Sequence, residues 1–496
     1  MRQADTATGT ADDVCGRNWS TVTLALVGLG IVVAVALRIW ILSAGLGAVD
    51  MDEAVSGLMA RHALHGHVSV FFWGQTYGGS QESIATAVVF ALLGPSRVAV
   101  KVVPMLSTLA SAWLVWRIGR RTLGDRQAPV AAVLFLLGPT FFVLRSTRAY
   151  GFYSTALLAS CAILLAVLRL RERATRPDLL WLGFAAGVGW WATPQIVFVA
   201  APALVWLAVE APGLLRRAHL VLAGAVAGAA PWLCWTATHG WAALRSDIAA
   251  PHNTYLSHLQ HFFGPLLPEA LGLRIPYAEK WYPGPLVGIA AYVALLAVFG
   301  LLLWKRPERL RLLLVAAVAY PFVFAISPAS FYAGEPRYLY LLSPVIALLL
   351  ARALATPARQ VVGVVLVATL SIVGIHTLTV EDPLSPRAPL TPVLDALRRQ
   401  GVDRAFAPYH IAYRLDFDGR ERIIVSPLDV VRWRPFNDQV RSSPRPGYVL
   451  IAGSAEQVRL ERFLASTGRA GQHERVGQFD VYVPGVKVLP EEWPGP

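Results

Sequence analysis

The chain has 496 residues, of which 55% are hydrophobic and only 15% charged, with a formal net charge of +13. Soluble domains carry about 25% charged residues, and the apolar residues here fall in long runs, which excludes an ordinary soluble enzyme and marks a polytopic membrane protein. The arginines sit in short loops between those runs and form no basic face interleaved with aromatics, which argues against nucleic-acid binding.

The first 18 residues are polar and read as a cytoplasmic tail. The apolar run that follows is too long for a signal-peptide core and reads as an uncleaved span. Candidate spans in chain order are Ser20–Ile41, Arg97–Arg117, Pro129–Leu144, Phe152–Leu170, Leu220–Thr236, Leu286–Trp304, Leu310–Ile326, Tyr338–Leu354 and Val361–Leu378. Between Leu179 and Glu210 an apolar stretch interrupted by "GWWATPQ" reads as two short spans or a re-entrant hairpin turning at Thr193-Pro194. The total is about eleven spans. Every second loop is basic ("RIGRRTLGDR", "RLRERATR", "LLRR", "KRPERLR", "ARALATPAR"). By the positive-inside rule those loops and the N-terminus face the cytoplasm. The first loop, 44–96, and the tail beyond Leu378 then lie outside. "SIATAVVFALLG" within that loop is too short to cross and reads as an interfacial or re-entrant helix.

From about 381 to 496 the composition shifts to Pro and charge, with β-rich runs ("RAFAP", "RIIVS", "GYVLIAG", "FDVYVPG") and helical stretches at Leu390–Gln400 and Ala455–Ser466. The expected fold class is therefore an all-α membrane bundle, 19–380, followed by a small extracytoplasmic α/β domain. Cys15, Cys161 and Cys234 form neither a disulfide framework nor a metal-binding spacing.

The outer loops hold the chemistry. Asp50, Asp52 and Glu53 open the stretch "EAVSGLMARHAL". A helix cap explains one acid well and three poorly. Read functionally, Asp52 is a general base, with Glu53 supporting it or helping to hold a divalent cation; such a base must be ionised and within reach of an acceptor hydroxyl. "FFWGQTYGGSQES" adds Gln75 and Tyr77 as substrate-loop candidates and Glu82 as a second acid or a further cap. His62, His65 and His67 have no zinc spacing. Lys101, Arg148 and Arg337 reach the same outer layer, where snorkelling competes with contact to a lipid phosphate, and Tyr338 and Tyr150 are placed to add hydrogen bonds. The loop His252–Arg274 is a candidate cover.

Several stretches resemble bacterial membrane glycosyltransferases of the GT-C superfamily: "DEAVSGLMARHALHG", "FFWGQTYGGSQES", "LGPSRVAVKVVPMLSTLASAWLVWRIGRRTLG", "GVGWWATPQIVFVAAPALVWL", "GAVAGAAPWLCWTATHG" and "EPRYLYLLSPVIALLLA". The likeness is to the dolichyl-phosphate-mannose protein mannosyltransferase-like group, including the aminoarabinose transferases and Rgt-type enzymes. "APYHIAYRLDF" is similar to the tail of one bacterial branch. The resemblance implies a polyprenyl-phosphate-linked sugar as donor, used at the outer face of the plasma membrane, and no nucleotide cofactor. It maps the catalytic base onto Asp52 and the donor-phosphate residues onto Arg337 and Tyr338. Some members use a divalent cation near this loop, which makes Asp52 and Glu82 the metal candidates; "TRAYGFYS", with Arg148, departs from the pattern. A hexosyl- or pentosyltransferase follows as the expectation, with a glycan, lipid or protein acceptor. The alternatives are a flippase for lipid-linked sugars and a non-catalytic envelope scaffold.

Overall fold

The computed structural model describes residues 21–244, 254–277, 280–327, 336–381, 389–469 and 471–493. The protein is a mostly helical bundle carrying a small sheet domain at its C-terminal end, the fold class expected. Helix α1 (Thr21–Ser43) is a continuous apolar span. Helix α2 (Met51–Leu64) and helix α3 (Gln81–Leu93) lie in the first loop, and α4 (Ala99–Thr122) is the next long span.

Among the described residues, six helices are long and apolar enough to cross a membrane, or seven if the pair Pro194–Glu210 and Pro212–Gly228, bent by 113°, counts as one span. Several of the about eleven expected spans are broken helices, at breaks that hydropathy does not register. Pro129–Leu144 is two helices, Ala128–Leu137 and Thr140–Arg145. They part at Gly138, whose φ of 44° is left-handed, and at Pro139, which has no N–H to continue the ladder. The carbonyls freed there are not left bare: the Ser371 hydroxyl donates to Gly138 O and Leu137 O. Tyr338–Leu354 likewise opens as a 3-10 turn, Arg337–Leu342, and becomes α-helical only at Ser343. The hairpin break falls at Thr193, between a helix ending at Ala192 and a 3-10 turn opening at Pro194.

One helix pair owes its closeness to small residues. "GFAAG" (Gly183 to Gly187) faces "GAVAG" (Gly224 to Gly228), and a Cβ at Gly183 or Gly224 would stand 1.9 or 2.1 Å from a carbonyl of the other helix. The backbones therefore touch, the mode by which helices associate in lipid where no hydrophobic force separates them from the solvent.

A two-stranded ladder, β1 (Arg274–Ile275) with β2 (Lys280–Trp281), precedes the later spans. The C-terminal domain holds a five-stranded sheet of β3 (Arg404–Ala407), β4 (Ile424–Pro427), β5 (Gly447–Ile451), β6 (Gly471–Val476) and β7 (Phe479–Pro484), in the order β4-β3-β5-β7-β6. Strands β3, β4 and β5 pair in parallel, and β7 runs antiparallel to β5 and β6. Four of the five fall on the apolar runs. The exception, β6, is a largely exposed edge whose polar "GQHERV" carries no apolar alternation. Ser454 caps the helix Ala455–Thr467 through a 3.2 Å bond from Gln457 N.

The domain seats on the first loop through the helix Tyr409–Asp418. Gly57 of α2 makes room for it, since a Cβ there would lie 2.4 Å from the Phe417 ring. Arg61 covers the same ring at 4.3 Å, and His62 meets Glu421 at 2.8 Å. The loop and the tail therefore stand on one side of the bundle.

Candidate active site

The three acids of the first loop have different surroundings. Asp50 caps α2: its Oδ1 accepts from Glu53 N at 2.9 Å, while Glu53 Oε2 accepts from Asp50 N at 3.2 Å, a reciprocal capping box. Glu53 is fully buried, and its Oε1 accepts from Ala149 N at 3.1 Å and from the Lys101 ammonium. Lys101 is itself fully buried. Arg148 donates to Asp50 Oδ2 at 3.2 Å, to the Tyr150 hydroxyl at 2.9 Å and to Leu46 O. Glu53, expected to support Asp52 or a cation, and Lys101 and Arg148, expected at a lipid phosphate, are engaged here with partners inside the protein. All three are interior groups that tie α2 to α4 and to the turn at 145–151.

Glu82 is also internal. At the start of α3, which does not span, it accepts from Gly151 N at 3.1 Å and from the Ser154 hydroxyl. Burial pushes its carboxyl up to about 8 from an ordinary 4.5, against the pull of those two bonds. A carboxyl with a raised folded-state pKa holds a proton that the unfolded chain releases, so its stabilising contribution is complete below about pH 4.5 and is lost as pH rises through about 8. Glu82→Gln keeps an acceptor for Gly151 N on its amide oxygen, turns its amide N–H to the Ser154 hydroxyl, which can accept, and has no proton to lose. The thermal midpoint of the variant in detergent is expected to fall less between pH 5 and 8 than that of wild type; parallel profiles would refute the assignment.

Asp52 takes part in neither the capping box nor the Lys101 pair. It sits in the first turn of α2, partly exposed. Its Oδ1 accepts from the Tyr409 hydroxyl at 2.8 Å, across 357 positions of sequence. The same hydroxyl accepts from Arg432 Nε at 3.1 Å. Burial, and then the neighbouring Asp50, raise the Asp52 carboxyl above its ordinary value, against Arg432, the Tyr409 bond and the charge of Arg337. Tyr77 is held above its usual pKa chiefly by burial and feels both Arg432 and Asp52. Asp52, Tyr77, Arg337, Tyr409 and Arg432 thus form one electrostatic cluster. Gln75 lies half-exposed in the same loop, its N–H on Phe72 O at 3.2 Å. Tyr338, next to Arg337, is buried in the 3-10 turn, where its carbonyl accepts from the Tyr320 hydroxyl.

Sequence reasoning missed Tyr409 and Arg432 as site residues. Arg432 is fixed by its backbone N–H on the Tyr413 hydroxyl at 2.7 Å and lies over Phe72 at 5.8 Å. Beside it Trp433 stacks on Trp73, with centroids 4.3 Å apart and planes 12° apart. Gly74 lets the two chains meet: its φ is 72°, and a Cβ would stand 2.7 Å from Arg432 Cα. The available signal was the run "RWRP" directly after the apolar "VV" of the same loop.

Metal ligation does not suit these groups. Among the described residues no three His, Cys, Asp or Glu side chains gather as ligands. Glu82 is spent on Ser154 and Gly151, and Asp52 Oδ1 on Tyr409. The pairing of Asp52 with Glu82 around a cation therefore finds no support in the donor set. The loop proposed as a cover falls partly outside the described residues; its part at 254–274 packs along the Arg311–Ile326 helix, with His258 Nδ1 2.8 Å from Ala325 O.

Residues 83–235 match the family described as dolichyl-phosphate-mannose-protein mannosyltransferase. Among solved structures, ArnT from Cupriavidus metallidurans bound to undecaprenyl phosphate superposes with a TM-score of 0.64 over 92% of this chain and 98% of that one, at 14% identity. The chain shares that fold. Apo ArnT from the same organism agrees, with a TM-score of 0.61 over 96% and 100% of the two chains at 14% identity. No curated protein matches the chain in sequence. That fold accounts for the described helices and the tail domain together, since the likeness runs over nearly the full length of both chains.

Proposed function

We propose that the protein is a membrane glycosyltransferase that moves a sugar from a polyprenyl-phosphate donor to an acceptor hydroxyl at the outer face, with Asp52 as general base. The observation that carries this is the Tyr409–Asp52 hydrogen bond: a hydroxyl already rests on the carboxylate in the geometry an acceptor needs. The family match over 83–235 and the ArnT-like fold support the reaction class, and the lipid phosphate in the ArnT structure supports the donor class.

In this reading the acceptor displaces Tyr409 and gives its proton to Asp52. The acceptor oxygen attacks the anomeric carbon as the bond to the donor phosphate breaks, so the configuration inverts. Arg337, whose charge reaches Asp52, and Arg432 lower the energy of the negative charge gathering on the leaving phosphate.

The test is sugar release by purified protein from a panel of radiolabelled polyprenyl-phosphate sugars, with candidate acceptors added. Turnover of one donor with inversion is the expected result, and it identifies the sugar. Binding without turnover of any donor, or retention in the product, overturns the mechanism. The pH profile adds a second check. Asp52 must be ionised to act, and its pKa is raised, so activity falls on the acid side at a pH above the ordinary carboxylate range. Arg432 favours the ionised form, so Arg432→Gln moves that acid limb to higher pH, and the ratio of variant to wild-type activity rises with pH. A limb that stays in place would remove Arg432 from the site.

A further inference from the structure

The far end of α4 presents a second binding feature, independent of the reaction. Helix α4 has 24 residues, a length of about 36 Å at 1.5 Å per residue, so its last turns lie at the bundle end opposite Lys101 and the Asp52 loop. A polar crevice of about 610 Å³ opens there, between the ends of α4 and the helix Tyr153–Glu172 and the 3-10 turn Glu308–Leu310.

Its charges are unbalanced, with five guanidiniums against three carboxylates on its walls. Arg120 is held by Asp125 at 2.6 Å, Arg121 by Glu172 at 2.9 Å and Arg171 by Glu308 at 2.5 Å. Among the described residues neither Arg117 nor Arg309 has a carboxylate. A positive-inside bias accounts for arginines at this end, but not for two unpaired ones lining the same hollow.

The apolar surface leading to the hollow is continuous with it. Leu106, Leu109 and Trp113 are each more than half exposed and follow one another at helical spacing up one face of α4. Arg117 comes next on that face, its guanidinium over the Trp113 ring at 5.1 Å. One stripe therefore runs from lipid-facing hydrocarbon through an amphipathic indole to an unpaired cation at the mouth of a polar crevice. This order of chemistries matches a glycerophospholipid: acyl chain, interface, phosphate.

We propose that this crevice binds the phosphate of an anionic phospholipid through Arg117 and Arg309, with an acyl chain along Leu106, Leu109 and Trp113. Guanidinium pairs bidentately with phosphate oxygens, and a negative headgroup completes the charge balance that the protein leaves open. A zwitterionic lipid brings its own cation to the same place and gains less.

Full-length protein, stripped of lipid in detergent, is titrated with phosphatidylglycerol, with phosphatidylcholine and with inorganic phosphate, and bound lipid is counted by native mass spectrometry. Phosphatidylglycerol is expected to bind on the order of tenfold more tightly than phosphatidylcholine, and Arg117→Gln/Arg309→Gln to erase that preference. Sugar transfer by the variant serves as the folding check, since neither arginine belongs to the active site. Should that variant fail to purify, Arg117→Lys/Arg309→Lys retains charge but not the bidentate fork and is expected to show a reduced preference. Equal binding of both lipids, or a preference unchanged in either variant, overturns the proposal. Displacement of phosphatidylglycerol by millimolar inorganic phosphate overturns its lipid part and leaves a free-phosphate site.

Discussion

Replacing Asp52 with Asn is expected to lower sugar transfer by about 10²- to 10⁴-fold, the range for removal of a positioned general base, while donor binding stays within a few-fold of wild type. The substitution is nearly isosteric. The amide oxygen still accepts from the Tyr409 hydroxyl, which stands 2.8 Å from the carboxylate, so the tail domain keeps its seat. What disappears is the capacity to take a proton. Loss of a negative charge in the first turn of α2 also removes a favourable interaction with the helix dipole, of about 0.3–1 kcal/mol, too little to unfold the chain. Single-turnover transfer beside donor binding, measured on wild type and variant, separates the two effects. Unchanged turnover would place the base elsewhere, and lost donor binding would make Asp52 a donor ligand.

Lys101→Met is expected to destabilise the protein by about 3–5 kcal/mol, because it leaves the Glu53 carboxylate buried without its counter-charge. Glu53 Oε1 retains only Ala149 N, and Oε2 only the cap of α2. Adding Glu53→Gln removes the stranded charge and keeps an amide-oxygen acceptor for one of the two N–H groups, so the double variant is expected to recover part of the loss. The measurement is thermal unfolding of the three proteins in detergent, with transfer activity alongside. If Lys101→Met melts with wild type yet cannot transfer sugar, the ammonium serves the donor phosphate and not Glu53.

Much of this was legible in the sequence because its signals are local. Asp52 stands two residues from a capping acid, and Arg337 follows Pro336 at the head of an apolar segment. The sequence does not say which of three neighbouring acids is left over. That depends on Lys101, Ala149 and Arg148, which reach Asp50 and Glu53 from 48 to 98 positions away. Tyr409 was inside a stretch singled out for resemblance, yet its role comes from a domain contact that no periodicity encodes. The breaks within the spans were hidden for a different reason. Mean hydropathy is continuous through Gly138-Pro139, whereas the backbone is not, and the repair by Ser371 lies 233 residues away.

The seating of the tail on the first loop has a consequence for building hybrids. Gly74 admits the Arg432 backbone, Trp73 matches Trp433, and Gly57 admits Phe417. Grafting a relative's tail onto this bundle would set foreign side chains against those glycines and indoles and leave the Asp52 carboxylate facing a stranger. Interchange of specificity between relatives should succeed only when residues 44–96 and the tail travel together, although three hundred residues of intervening bundle stay put. The unit that can be inherited, shuffled or redesigned is discontinuous in the gene and contiguous in space.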